Sequence, residues 1–90
     1  MKIMELTRQL HSLDSEKTIY AKKPWTCESE VQLLIEPEDG SLPSELSDGF
    51  EYFLEIFIAL DVIPNLLHVE PSFTLEQWSE RLIEYADNDA

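Results

Sequence analysis

Residues that commonly carry chemistry are few in this chain of 90 residues, which has two histidines, one cysteine and two glycines. His11 and His68 lie far apart in the sequence, and neither neighbours a serine or cysteine in a recognisable catalytic motif. Cys27 has only distant lysines that could lower its pKa, so we interpret it as a small buried residue and not as a nucleophile. Two glycines are too few for a glycine-rich loop that cradles phosphate. The sequence therefore predicts no catalytic residue and no enzyme.

Carboxylates, in contrast, are abundant, with 19 Asp and Glu against 6 Lys and Arg and a formal net charge of −13. A calcium loop of the EF-hand type needs oxygen ligands at alternate positions, a central glycine and a closing glutamate. Segments that start at Glu36 or Asp39 do not follow this pattern. A single cysteine also excludes an internal disulfide, an iron–sulfur cluster and a four-cysteine zinc site. We predict no metal and no cofactor.

The charge is unevenly distributed along the chain. Residues 1–23 carry a net charge of +2, whereas residues 24–90 contain sixteen acids and one base, Arg81, for a net −15. Acidic residues can serve solubility alone, but self-repulsion on this scale favours a functional negative field. Such a field repels nucleic acid and anionic membranes and accelerates encounter with a basic partner. The charge therefore predicts a basic protein as partner, with no nucleic acid and no membrane.

Length and composition indicate the class of protein. A domain usually takes about 100–150 residues, so we expect a single domain over 1–90. The apolar content of 43% is too high for a disordered acidic tail. No apolar run precedes Glu5 and Arg8, and no uncharged stretch of about 18 residues could span a bilayer. We expect a soluble cytoplasmic protein.

Hydrophobic periodicity predicts the first elements. Within 1–13 a helical spacing of apolar residues predicts an amphipathic helix through Ile3, Leu6, Leu10 and Leu13. The run 18–21 and the alternating segment 28–36 predict two strands. The segment 37–44 has two prolines flanking Asp39-Gly40, which favours a long surface loop over a tight hairpin.

The second half predicts one strand and two helices. Alternation over 50–56 predicts a strand with Tyr52, Leu54 and Ile56 on one face. Glu51 and Glu55 then share the other face, with Phe53 between them. Asp61 is the expected N-cap of the next helix, because it places Pro64 in the first turn, where proline is tolerated. Thr74 and Gln77 form a predicted capping box for the last helix. The apolar stripe of that helix is Leu75, Trp78, Leu82 and Tyr85.

The order of these elements predicts an α+β fold, in which a small antiparallel sheet of about three strands packs against three helices. The densest acidic cluster lies in the loop and the strand that follows it. Carboxylates there could take the places of substrate phosphates in a basic cleft, and close charge pairs of this kind couple by about 1.5–7 kcal/mol. The candidate partner-binding residues are Glu36, Glu38, Asp39, Glu45, Asp48, Glu51 and Glu55.

The chain also resembles a family of small bacterial proteins, some of them immunity proteins encoded beside secreted toxins such as those of contact-dependent growth inhibition. The resemblance covers nearly the whole chain through scattered residues, which are Ile19-Tyr20, Pro24-Trp25-Thr26, Phe50 to Leu54, Asp61, Asn65 and Tyr85 to Ala90. The chain departs from the family in having Leu60-Asp61 in place of a Gln-Asp pair, and in Pro64.

The family resemblance implies a cytoplasmic inhibitor of a toxin domain. It also implies structural roles for three residues, with Trp25 buried, Asp61 as a helix N-cap and Asn65 in a hydrogen bond between helix and loop. Trp78 is a fourth expected structural residue.

The leading hypothesis is an immunity protein that neutralises a basic toxin, most simply a nuclease, as a monomer in a one-to-one complex. Two alternatives stay open, an acidic nucleic-acid mimic of the antirestriction type and an acidic adaptor.

Overall fold

The structure is a computed structural model that describes residues 1–63 and 73–89. Within these residues a three-stranded antiparallel sheet packs against three helices, so the predicted α+β class is confirmed. The helices are α1 (Ile3–Arg8), α2 (Ile56–Val62) and α3 (Leu75–Asp89), and a 3₁₀ turn (Leu10–Ser12) follows α1. The strands are β1 (Thr18–Lys22), β2 (Val31–Leu34) and β3 (Phe50–Glu55).

The central strand is β1, which pairs antiparallel with β2 on one side and with β3 on the other. Because β2 and β3 are not neighbours, the residues between them form a long connection and not a hairpin, as the flanking prolines predicted. The turn at Gly40 has a φ of 78°, and its N–H donates to the Pro37 carbonyl at 3.0 Å. Glycine adopts this left-handed conformation without the steric cost that a Cβ would add.

A β-bulge in β3 changes which side chains share a face. Ile19 is opposite Leu54 while its neighbour Tyr20 is opposite Tyr52, so Phe53 is an extra residue in the ladder. Residues that pair directly lie on the same face of a sheet, and neighbours along a strand lie on opposite faces. Leu54 and Tyr52 are therefore on opposite faces, and the prediction that Tyr52, Leu54 and Ile56 share one was wrong.

The core lies between the helices and the face of the sheet that carries Ile19 and Ala21, both fully buried. α1 contributes Ile3 and Leu6 to this core, and α3 contributes Leu82. The expected helix over 1–13 is shorter than predicted. It ends at Arg8, and the 3₁₀ turn then carries Leu10 into the core.

Small side chains let α3 approach α1 closely. Ser79 and Ala86 of α3 are fully buried, as is Thr7 of α1, whereas Tyr85 is 38% exposed. The predicted stripe therefore continues along Ser79, Leu82 and Ala86, and Tyr85 is not part of it. The predicted capping box is confirmed, since the Thr74 N–H donates to Gln77 Oε1 at 2.8 Å and the Gln77 N–H donates to Thr74 Oγ1 at 3.1 Å.

The N-cap expected at Asp61 was wrong. α2 begins directly after β3 at Ile56, so Asp61 is an exposed residue of its last turn. Ile63 ends the helix in an extended conformation, as the position before a proline favours. Pro64 and Asn65, with the roles expected of them, lie outside the described residues.

Candidate functional site

The seven predicted acidic residues, here called the loop surface, lie in the connection between β2 and β3 and in β3 itself. Five of its carboxylates are exposed and two are half-buried, Glu36 and Glu55. The exposed members are Glu38, Asp39, Glu45, Asp48 and Glu51.

The bulge divides the β3 part of this surface. Glu51 pairs with Ala21 and Glu55 pairs with Thr18, three residues apart on β1. The two glutamates therefore point to opposite faces of the sheet, contrary to the prediction that they flank Phe53 on one face. Phe53 is fully buried in the core and is not an aromatic contact for a partner.

Local hydrogen bonds orient two carboxylates in the loop. Asp39 Oδ1 accepts from the Ser41 N–H at 3.0 Å and from the Ser41 hydroxyl at 2.7 Å. These bonds favour the charged form, the N–H bond most, and lower the pKa of Asp39. The Ser44 hydroxyl donates to Glu45 Oε1 at 3.3 Å. Both carboxylates keep oxygen lone pairs available to an outside donor.

The loop also lies over the face of the sheet opposite the helices. The Ser47 N–H donates to Gln32 Oε1 at 2.9 Å, and Gln32 pairs with Tyr20 on that face. Tyr20 is only 1% exposed, and its hydroxyl has no hydrogen-bond partner among the described residues. Burial raises the pKa of Tyr20, and the charges of Glu36 and Glu55 raise it further. Those two carboxylates therefore act on the same buried hydroxyl.

Ion pairs are few in the part of the chain that the structure describes. Within 1–63 and 73–89, the Met1 ammonium pairs with Glu30 at 3.2 Å and Lys2 Nζ pairs with Glu28 at 2.8 Å. Neither pair includes a carboxylate of the loop surface. Its seven negative charges thus have no basic neighbour within ion-pair distance among these residues.

A second acidic surface, which we call the helix groove, lies between residues 25–27 and α3. It is a cavity of about 460 Å³. Its acidic wall consists of Glu80, Glu84 and Asp87, all exposed. Its less polar lining includes Trp25, Cys27 and Ile83.

Two contacts fix the Trp25 ring at one wall of the helix groove. Its ring meets Phe53 edge to face with centroids 4.8 Å apart, and its Nε1–H donates to the Ala21 carbonyl at 3.2 Å. It is half-buried and not fully buried as expected. Lys23 Nζ lies 4.7 Å from the centre of the ring, so the indole already accepts a cation.

Cys27 lines the same groove, and its thiol pKa reflects its burial and the nearby carboxylates. Its thiol lies 3.8 Å from the Glu76 carbonyl and is half-buried. Burial raises the pKa of the Cys27 thiol, and the carboxylates of Glu80, Glu76 and Glu28 raise it further. Both causes disfavour the negatively charged thiolate at this position.

The other residues considered for chemistry have structural contacts. His11 is exposed, and its Nε2–H donates to the Ile63 carbonyl at 3.0 Å. Trp78 is half-buried with its ring 4.8 Å from that of Phe73, and its Nε1–H has no partner within the described ranges. His68 lies outside the residues that the structure describes.

Within 1–63 and 73–89, no group of three or more His, Cys, Asp or Glu is placed to hold a metal ion. Across the same ranges, no helix is both long and apolar enough to cross a bilayer.

No protein-family model, curated protein sequence or solved structure has significant similarity to this chain.

The helix groove was missed because the prediction considered acids that are close in sequence. Glu76, Glu80 and Glu84 recur every four residues, a spacing that puts them on one face of a helix. This spacing is visible in the amino-acid sequence alone. What the sequence could not show is that Trp25 and Cys27, some fifty residues earlier, lie against the same helix.

Proposed function

We propose that this protein is an immunity protein, which binds and neutralises a basic toxin through its acidic surface, and that the toxin is a nuclease. The observation that carries the proposal is that no basic residue pairs with the loop surface within 1–63 and 73–89. Like charges held together without counter-charges repel each other. A basic partner relieves that repulsion, and the encounter is accelerated by the field.

A nuclease is the favoured toxin for a chemical reason. Its substrate-binding cleft carries Lys and Arg that hold phosphates, and carboxylates offer the same charge and acceptor geometry. The resemblance to immunity proteins of contact-dependent growth inhibition agrees with this choice. The partner would meet a monomer of this chain in a one-to-one complex.

The test is co-expression of the chain with the product of the adjoining upstream gene. Growth should be rescued by the unaltered chain and lost with Asp48→Lys combined with Glu51→Lys. The matched control is Glu16→Lys combined with Asp61→Lys, which changes the net charge equally at exposed positions outside the loop surface. The control should still rescue growth.

Association kinetics complete the test. The association rate of the purified pair should fall steeply as salt rises, because exposed charges are screened. An equal rate at low and high ionic strength would contradict the proposal. If the chain instead inhibited DNA-binding enzymes without any toxin, the nucleic-acid mimic would replace the immunity protein.

A further inference from the structure

We infer that Asp48-Gly49 is a site of covalent self-modification, at which Asp48 is converted to isoaspartate through a succinimide ring. The chain contains two Asp-Gly pairs, Asp39-Gly40 and Asp48-Gly49, and both lie in the connection between β2 and β3. Glycine leaves the amide nitrogen that follows an aspartate open to attack, because no Cβ shields it. The dipeptide alone does not separate the two pairs, but their hydrogen bonds do. The inference is independent of the proposed function.

The reaction needs only the chain and water. The Gly49 nitrogen attacks Cγ of the neutral Asp48 carboxyl group and forms a C–N bond, while the carboxyl hydroxyl leaves with the amide proton as water. Water then opens the succinimide at either of its carbonyls. Opening at the original main-chain carbonyl leaves Gly49 linked through Cγ, which lengthens the backbone by one methylene group. One carboxylate is retained, so the net charge of the chain stays at −13.

Hydrogen bonds hold both reacting groups of Asp39-Gly40. The Gly40 N–H donates to the Pro37 carbonyl at 3.0 Å, so the attacking nitrogen is tied into a turn. Asp39 Oδ1 accepts from the Ser41 N–H at 3.0 Å and from the Ser41 hydroxyl at 2.7 Å. These bonds lower the pKa of Asp39 and favour its carboxylate, which is a poorer electrophile than the neutral carboxyl group. Ring closure at this pair must therefore break bonds at both the nucleophile and the electrophile.

The turn at Asp48-Gly49 leaves both reacting groups free. Its hydrogen bond runs from the Phe50 N–H to the Ser47 carbonyl at 3.3 Å, so the turn does not use the Gly49 N–H. Gly49 has a φ of 86°, a left-handed conformation that glycine adopts without steric cost. Within 1–63 and 73–89, neither the Gly49 N–H nor the exposed Asp48 carboxylate has a hydrogen-bond partner. Ring closure at this pair therefore breaks no hydrogen bond of either reacting group.

The product changes the start of β3. Phe50 follows Gly49 directly and pairs with Lys22 at the end of the ladder. The Lys22 side chain also lies against the turn, since its Cε is 3.2 Å from the position that a Cβ on Gly49 would take. An additional methylene before Gly49 therefore moves one carboxylate of the loop surface and alters the packing of Lys22 on the turn.

The experiment incubates the full chain at neutral pH and physiological temperature and follows isoaspartate by digestion with endoproteinase Asp-N. This protease cuts before aspartate and not before isoaspartate, so the uncut fragment 39–60 reports on Asp48 and the uncut fragment 14–47 reports on Asp39. The first fragment should accumulate about tenfold faster than the second, because ring closure at Asp48 breaks fewer hydrogen bonds. Equal rates, a faster rate at Asp39, or no isoaspartate at either position would overturn the inference.

Matched variants and an unfolded control separate the turn from the dipeptide. Asp48→Glu keeps the charge, but glutamate forms the larger ring far more slowly, so this variant should lose most of the isoaspartate. Asp39→Glu makes the same change at the other pair and should lose only about a tenth of it. Circular dichroism establishes that both variants are folded.

Urea that unfolds the chain removes the hydrogen bonds that distinguish the two pairs. Under these conditions the two uncut fragments should accumulate at rates within about twofold of each other. A tenfold preference for Asp48 that persisted in urea would show that the local sequence and not the turn selects this site, and it would overturn the inference.

Discussion

Trp25 and Phe53 meet edge to face with their ring centroids 4.8 Å apart, at the point where the β3 bulge adds a residue to the ladder. Without the bulge, Phe53 would point to the opposite face from Leu54, its neighbour on the strand. With it, Phe53 and Leu54 are both buried in the core. The contact joins the central core to the residue that forms one wall of the helix groove.

Phe53→Ala should lower the free energy of unfolding by about 3–5 kcal/mol, because it removes a fully buried aromatic ring and leaves a cavity. Urea denaturation measures the change. If that variant is unfolded, Phe53→Leu should show a smaller loss, about 1.5 kcal/mol or less.

Phe57→Ala is the matched control, since Phe57 is the same residue type in α2 and is 54% exposed. It should change the free energy of unfolding by about 0.5 kcal/mol or less. Equal losses for the two variants would contradict the assignment of Phe53 to the core.

Tyr20→Phe should leave the free energy of unfolding at neutral pH unchanged or slightly increased. The buried Tyr20 hydroxyl has no hydrogen-bond partner among the described residues, so its removal relieves a desolvation cost. Urea denaturation at neutral pH measures this, with Tyr85→Phe as the exposed control. A loss above about 1 kcal/mol would show that the hydroxyl has a bonding partner.

The same variant tests the pH dependence of stability. Burial raises the pKa of Tyr20 in the folded chain. The contribution of the neutral Tyr20 side chain to the free energy of unfolding is therefore fully present below the ordinary tyrosine pKa of about 10. It is lost as the pH rises through the higher pKa of the folded state. Tyr20→Phe should therefore lose less stability than the unaltered chain above that pH. Identical alkaline profiles would contradict the raised pKa.

Thr74→Ala should cost about 1 kcal/mol in the free energy of unfolding, because it deprives the Gln77 N–H of its acceptor at the start of α3. Thr74→Ser keeps the hydroxyl and is expected to retain most of this stability. Denaturant titrations of the two variants compare them directly. If Thr74→Ser lowered the free energy of unfolding as much as Thr74→Ala, the methyl group of Thr74 and not its hydroxyl cap would stabilise the helix.

Ser41→Ala should raise the pKa of Asp39 part of the way to its ordinary value. The variant removes the hydroxyl bond and leaves the stronger contribution of the Ser41 N–H. Since the pKa of Asp39 is lowered in the fold, its contribution to stability is present above the ordinary aspartate pKa and is lost as the pH falls through the folded value. NMR titration of the Asp39 carboxyl measures the shift.

Ser44→Ala is the control for this titration, because its hydroxyl bonds Glu45 and not Asp39. It should leave the Asp39 titration unchanged. An equal shift in both variants would indicate a general effect on the loop.

Local patterns predicted most of the elements because their causes are local. The alternation around Val31 predicted β2, and the side chains of Thr74 and Gln77 predicted the start of α3. The end of α1 at Arg8 was missed, since a helical stripe continues equally well through a 3₁₀ turn. Asp61 was misplaced because α2 begins directly after β3, with Glu55 of the strand in the N-cap position.

By itself the sequence determined the α+β class, the strand positions, the long loop and the sign of the net charge, because each follows from composition or from spacing within one element. Only the tertiary structure decided how those charges are arranged. The bulge at Phe53 sends Glu51 and Glu55 to opposite faces, and the packing of α3 brings Glu80 and Glu84 beside Trp25. Both outcomes depend on contacts between residues far apart in the chain, which no local pattern encodes.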